Sequence, residues 1–231
     1  MKITNISKDN KMTFSTNNLS KVYWSILLIG LTIILLSIDA TEGKSVFAII
    51  YVVLFALAIR SFSYKVNVTG RKITTHTLFT ENSISIRPES RIYIRKNIAS
   101  LFLLYRHYDY EIKIINSKEK LNINANVNDA DALFELIAQL EQKIIFPVSW
   151  EHFSNQKKLK LDQDLTIHPQ GITYKNKDYL YRSLSNIELE QGYFRLKAEG
   201  KMWETTVLAL PVSQIPNLTT FMSLVHHDIE P

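Results

Sequence analysis

Hydrophobic and polar positions divide the chain into two regions of different period. Val22–Ile38 reads VYWSILLIGLTIILLSI, 17 residues without a charge. As a helix it covers about 25 Å, enough for a thin hydrocarbon core. Ser45–Tyr64 is a second apolar run whose one charge, Arg60, lies near the end, where a guanidinium reaches the headgroups. Only the polar Asp39–Lys44 separates the two. Long apolar runs joined by so tight a turn predict a transmembrane helical hairpin over 22–64. A cleaved signal peptide and a buried helical pair in a soluble core are the competing readings. Against the first stand the polar residues 1–21, Asp39 at the end of the run, and the second run that follows at once. Residues 1–21 themselves read as a mobile polar tail.

After the helical hairpin the period changes from helix to strand. Lys72–Phe79, Ser83–Arg87, Ile92–Ile94, Tyr110–Ile115 and Leu121–Ala125 alternate or run apolar over strand lengths. Asn128–Leu140 then returns to helical spacing. Asn128 or Asp129 is placed to cap it, and Leu133, Phe134, Leu136, Ile137 and Leu140 form one apolar face. Pro147 marks a break, after which the pattern restarts. Gly171–Tyr174 matches Ser83–Ile86. Tyr179, Leu180, Leu184 and Ile187 match Tyr93, Ile94, Ile98 and Leu101 at the same spacing. Tyr193–Ala198 and Trp203–Leu210 add strands, and Pro216–Val225 is a second short helix. At an offset of 88, Leu133, Leu136 and Ile137 meet Phe221, Leu224 and Val225. A period this long fits two domain-sized units rather than a solenoid. The expected organisation is a polar tail (1–21), the helical hairpin (22–64) and two domains (65–146 and 147–231).

A strand-rich unit of this size closed by one C-terminal helix resembles the pleckstrin-homology (PH) superfold. The residues that carry the resemblance are the strand pair Ser83–Ile86 and Arg91–Ile94, the Tyr-led apolar pattern after it, and the closing helix, each present twice. The chain is similar over 22–231 to bacterial membrane proteins that place PH-like units beside a transmembrane hairpin. The resemblance implies an α+β fold: the helical hairpin, then two tandem PH-like domains, each a bent antiparallel sheet or partial barrel with one C-terminal helix. It also implies a binding or assembly role without catalysis. No ligand residue is carried over from it, and the basic loop of lipid-binding eukaryotic relatives has no counterpart here.

Composition adds exclusions. The 231 residues include no cysteine, which removes disulfides, thiolate metal sites and a cysteine nucleophile. The six glycines are isolated, so no phosphate loop is present, and neither HExxH nor Gly-x-Ser-x-Gly occurs. His226–His227–Asp228 is read as helix-end polar residues rather than a metal site, because adjacent helical histidines diverge by about 100°. The pairs Asp162/Asp164 and Glu188/Glu190 are read as solubilising strand residues. No catalytic residue, cofactor or metal site is therefore expected.

Charge is more directive. Lysines and arginines flank both outer ends of the apolar pair (Lys2, Lys8, Lys11, Lys21 and Arg60, Lys65, Arg71, Lys72), while the connecting turn holds only Lys44, beside Asp39 and Glu42. The positive-inside rule then puts both termini in the cytoplasm. Residues 63–120 carry 11 basic and 5 acidic side chains, net +6; residues 121–231 carry 10 and 14, net −4. Lys65, Arg71, Lys72, Arg87, Arg91, Arg95 and Lys96 are thus the candidate contacts to a membrane surface or an anionic lipid headgroup. Nucleic acid is not expected as a partner of an anchored chain with an acidic distal half. The leading expectation is a non-enzymatic protein of the cytoplasmic membrane whose PH-like domains bind a protein partner or a second copy. A headgroup or small-ligand sensor is the alternative, and an unrecognised membrane enzyme the third.

Overall fold

The computed structural model describes residues 11–37, 41–101, 105–124, 127–200 and 203–229. They form an α+β fold with five α-helices and four antiparallel sheets. The chain opens on strand β1 (Lys11–Ser15), before the apolar helices α1 (Asn18–Ser37) and α2 (Thr41–Phe62). Within these, Ser20–Ser37 and Ser45–Phe62 are long and apolar enough to cross a membrane. Their side chains stay largely exposed, and Thr32 Oγ1 lies 3.2 Å from the Tyr51 hydroxyl between the two helices.

After α2 come β2 (Lys65–Thr69), β3 (Lys72–His76) and β4 (Glu81–Ser85), which with β1 make a four-stranded meander. The expected tail over 1–21 is corrected here: residues 11–15 pair with β2 from Lys11↔Thr69 to Ser15↔Lys65. The stretch KMTFS has only two large apolar residues, so its alternation is faint, yet Phe14 is buried. Residues 1–10 lie outside the described residues.

A three-stranded meander follows: β5 (Arg91–Leu101), β6 (Tyr105–Ile115) and β7 (Lys120–Asn124). β7 pairs only with Glu111–Ile115, so the outer half of β5–β6 is a two-stranded ribbon. Residues 102–104 and the side chains of 96–101 and 105–110 lie outside what the structure describes. Then come α3 (Ala130–Ile144) and α4 (Phe146–Gln156). The expected break at Pro147 is displaced. Ile145 alone separates the helices, and Pro147 sits in the first turn of α4, where its missing N–H costs nothing.

The same order of sheets recurs. β8 (Leu159–Lys160), β9 (Leu165–His168), β10 (Gly171–Tyr174) and β11 (Lys177–Leu180) form a four-stranded meander. β12 (Asn186–Glu190), β13 (Tyr193–Glu199) and β14 (Glu204–Pro211) form a three-stranded one, and α5 (Leu218–Ile229) follows. The two strand stretches matched in the sequence hold different places. Ser83–Ile86 runs along the fourth strand of its sheet, whereas Gly171–Tyr174 is the third of its own. Every strand shares period 2, so an alignment slides by a whole strand without penalty. The helical matches stand on a less forgiving period, and Leu133, Leu136, Ile137, Phe221, Leu224 and Val225 are all buried.

Contacts group the chain into two compact units, Met1–Ser85 with Asn126–Leu133, and Ile86–Ala125 with Phe134–Pro231. A sequence pattern marks where a series of elements restarts; contacts mark which elements share a core. In the first unit the β1–β4 sheet has one face of Phe14, Val66, Val68, Ile73 and Ile84. The second unit buries Phe194 edge-on to Phe221 at 4.8 Å, among Leu165, Ile167, Leu196 and Leu224.

Candidate functional site

The join between α1–α2 and the first sheet positions the most distinctive feature of the first unit. Thr16, buried, follows β1 directly. Its N–H donates to Tyr64 O (3.2 Å), and its hydroxyl donates to the Ser61 and Tyr64 carbonyls. Those carbonyls lie at the C-terminal end of α2, where helix geometry leaves acceptors unpaired. The start of α1 is held in the same way. Asn128, expected to cap α3, accepts at Oδ1 the N–H of Asn18 (3.0 Å), and its own N–H donates to Ser15 O (2.7 Å). The helical hairpin is therefore spliced into a β-hairpin, its end bonded to Thr16 next to β1 and its start to Asn128, whose N–H bonds to Ser15 of β1.

Cross-strand register sorts the second face of that sheet. Ser15, Lys65, His76 and Glu81 form the row nearest the helices; Thr13, Asn67, Thr74 and Ser83 the middle row; Lys11, Thr69, Lys72 and Ser85 the far row. All twelve are polar. A cleft of about 680 Å³ runs along this face to the end of α2, with Lys11, Thr13, Ser63, Lys65, Asn67 and His76 in its wall. Asn67 Oδ1 is buried and, among the described residues, has no hydrogen-bond partner. His76 Nδ1 is 3.5 Å from Glu81 Oε2. Among the described residues Lys11 and Lys65 make no ion pair. The arrangement offers two cations, the Thr13 hydroxyl and an amide to an anionic or hydroxyl-rich ligand, while the Ser63 hydroxyl donates to the Ile59 carbonyl (2.8 Å).

A second cleft, about 390 Å³, lies within the second unit beside Tyr93, Lys113, Asp162, Asp164 and Tyr174. Asp162 is fixed there. Arg91 Nη1 donates to its Oδ1 (3.2 Å), the Tyr93 hydroxyl donates to its Oδ2 (3.2 Å), and the Gln163 N–H donates to Oδ1 (2.8 Å). Burial, and then the neighbouring Asp162 charge, push the Tyr93 phenol above its usual range and keep it a donor. Asp162 thus lies in the bend between β8 and β9 rather than on a strand face. Glu188 and Glu190 face cations instead of water alone: Lys197 Nζ is 2.7 Å from Glu188, and Arg195 Nη1 2.7 Å from Glu190.

Of the seven expected membrane contacts, Lys65, Arg71 and Lys72 belong to the first unit and the other four to the second. Lys65 opens β2 in the row next to the helices and lines the first cleft. Arg71 and Lys72 sit at the opposite end of the same sheet, roughly 14 Å along a five-residue strand. Arg87, Arg91, Arg95 and Lys96 belong to the second unit. Arg87 reaches Glu89 (3.9 Å), Arg91 reaches Asp162 (3.2 Å), and Arg95 reaches Glu111 (3.9 Å). The Lys96 side chain lies outside the described residues. Lys11, Thr13 and Asn67 were missed. The signal was present in the strict alternation of Val66 and Val68 with polar neighbours.

Two further side chains escaped the sequence reading. Asn217, buried, donates its N–H to Ile92 O (2.8 Å), accepts the Ile92 N–H at Oδ1 (2.8 Å) and donates from Nδ2 to Ser90 O (3.0 Å). Glu141 of α3, with no exposed surface, accepts the Thr220 N–H in the first turn of α5 (2.6 Å). Burial lifts its carboxyl from 4.5 to about 7, against the opposing pull of the Thr220 hydrogen bond. Among the described residues no cluster of three or more His, Asp or Glu side chains is placed to hold a metal.

Residues 6–230 match the family described as Family of unknown function (DUF6585), and the chain belongs to that family. No curated protein and no solved structure matches it.

Proposed function

We propose that this family member is a membrane-anchored, non-enzymatic binding module. In this reading α1 and α2 cross the cytoplasmic membrane with both termini inside, and two tandem PH-like domains meet a protein partner at its surface. The observation that carries it is the splice: the helical pair is an insertion within the first sheet, held by Thr16 and Asn128. A sheet joined in this way is fixed against the bilayer rather than trailing on a linker, which suits presentation of a surface at constant height and orientation. The PH-like reading is supported by the order of elements, a four-stranded meander, a three-stranded meander and a helix, twice over. Support for the orientation comes from the lysines and arginines at the outer ends of the pair.

Crosslinking in cells, followed by native purification and mass analysis of the full-length protein, tests the reading. A stoichiometric protein partner or a defined oligomer is expected; a monomer carrying only lipid overturns it. The orientation is tested separately on the cysteine-free chain. A cysteine replacing Glu42 should react with an impermeant maleimide added outside cells, and one replacing Lys158 should not.

The polar cleft in the first unit favours a second reading, a site for a phosphate-bearing headgroup. Lys11 and Lys65 supply charge, Thr13 a hydroxyl, and Asn67 an amide that presents Oδ1 or Nδ2 after a half turn. Anionic lipid retained through native purification of the wild type, and lost on Lys11→Glu with Lys65→Glu, is the expected result. Equal retention by the double variant removes this reading.

A further inference from the structure

We infer that the turn between β3 and β4 is a third contact with lipid, in which Leu78 and Phe79 dip into the interfacial layer of the bilayer crossed by α1 and α2. The inference rests on the membrane reading above and extends it to a segment outside the helices.

Register places the turn. β2 leaves the helices at Lys65, and β3 runs back toward them to end at His76, directly opposite Lys65; β4 starts again at Glu81, opposite His76. The intervening residues Thr77–Thr80 therefore lie just past the sheet's helix-proximal row. At a strand spacing of roughly 5 Å, that is within about 10 Å sideways of the strand that continues from α2. The candidate span ends at Phe62, three residues before Lys65, so this edge of the sheet stands at headgroup depth.

The chemistry of the turn is wrong for water. Tight hairpin connections favour Asn, Asp and Gly at their tips. Here the tip is Leu78–Phe79, and Phe79, 84% exposed, is the most open large apolar side chain among the described residues. The turn is also firmly built. Thr77 N–H donates to Thr80 O (2.8 Å), Thr80 N–H donates to Thr77 Oγ1 (3.1 Å), and the two hydroxyls lie 2.6 Å apart. The polar row behind it, Lys65, His76 and Glu81, is the kind of surface that meets headgroups when an apolar tip is immersed. The occupant is the bilayer that holds the helices, because the turn continues the same edge of the same sheet.

The absence of native cysteine allows a direct test. Single cysteines replacing Phe79, Val52 in the middle of α2, and Arg71 at the far end of the sheet are labelled with a nitroxide. Each full-length variant is reconstituted in phosphatidylethanolamine–phosphatidylglycerol vesicles. Collision with dissolved oxygen is compared with collision with a water-soluble nickel chelate. At position 79 the label is expected to be several-fold more shielded from nickel than at position 71, and to collide freely with oxygen. Nickel access at 79 equal to that at 71, with position 52 in lipid, overturns the inference while the membrane reading stands. A label at 79 shielded from both reagents overturns it in favour of a protein contact. Nickel access at position 52 overturns the membrane reading and this inference together.

Discussion

The two four-stranded meanders differ chiefly in what joins their first two strands. Between β8 and β9 the connection is the bend at 161–164, closed by the Leu161 N–H on Leu165 O. Between β1 and β2 the connection is two helices of 20 and 22 residues. Closing a longer loop costs little extra entropy provided its ends are brought together, since the cost rises only with the logarithm of length. In the short connection Asp162 holds the bend through Arg91 and Tyr93; in the long one Thr16 and Asn128 hold the ends. The sheet accepts either insert because its register depends on the ends of the connection and not on its content.

The largest expected effect falls in the second unit. Phe221→Ala removes a ring with no exposed surface packed edge-on to Phe194, and should cost about 3–5 kcal/mol. Denaturant unfolding followed at Trp150, which packs on the same core, measures it. Amide exchange in β2 and β3 should be altered far less than in β13; equal loss in both would make the two units one cooperative block.

Next is Glu141, which sharpens the contrast between the two closing helices. α5 takes its first-turn acceptor from a buried side chain on α3, while α3 itself starts with the Leu133 N–H on the backbone carbonyl of Asp129. In the folded state Glu141 holds its proton up to about pH 7, whereas an unfolded chain sheds it near 4.5. The native state therefore binds more protons across that window, and stability falls as pH rises through it. The full cost, about 3 kcal/mol, is present above the folded pKa. Glu141→Gln keeps the acceptor for Thr220 and carries no charge. It should be more stable than wild type by up to about 3 kcal/mol at about pH 8, with the gap closing toward about pH 4.5. A pH-independent difference would mean that Glu141 does not titrate there.

Thr16→Val should cost about 1 kcal/mol, because the hydroxyl proton shared between the Ser61 and Tyr64 carbonyls is lost while each carbonyl keeps a backbone N–H partner. The same change should speed amide exchange along β1 and leave β8–β9 untouched, which is the direct comparison of the two connections. Smallest is Arg95→Gln. Its contact with Glu111 spans 3.9 Å between half-exposed side chains, and less than about 0.5 kcal/mol should be lost.

Elements with a strong period were legible in the sequence. Both apolar helices, the buried faces of α3 and α5 and most strands lie where hydropathy places them, because burial of one face writes a period that no local detail can erase. β1 was not legible, since a five-residue edge strand needs only Phe14 to hold its face. Pro147 was read as a break because it is one inside a helix and is not in a first turn. Glu141 left a trace: it stands four residues after Ile137 and three before Ile144, a carboxylate inside the apolar stripe of α3. Asn217 left none, because its partners Ser90 and Ile92 lie more than 120 residues away in the chain. The polar cleft was half visible. Lys65 was named for its charge, but which lysines share a face depends on register, and register depended on the unseen β1.

Splicing the helices between paired strands also sets an order of events in synthesis. β1 leaves the ribosome before the two helices, and its partner β2 leaves after them, yet the pairs from Lys11↔Thr69 to Ser15↔Lys65 need both on one side. In a bilayer, a chain that inserted only its first helix would strand β1 and β2 in different compartments. The sheet would then present Val66 and Val68 along an unpaired edge, a surface that quality-control proteases and chaperones recognise. Where α1 and α2 both cross a bilayer, closure of this sheet therefore waits on both crossings.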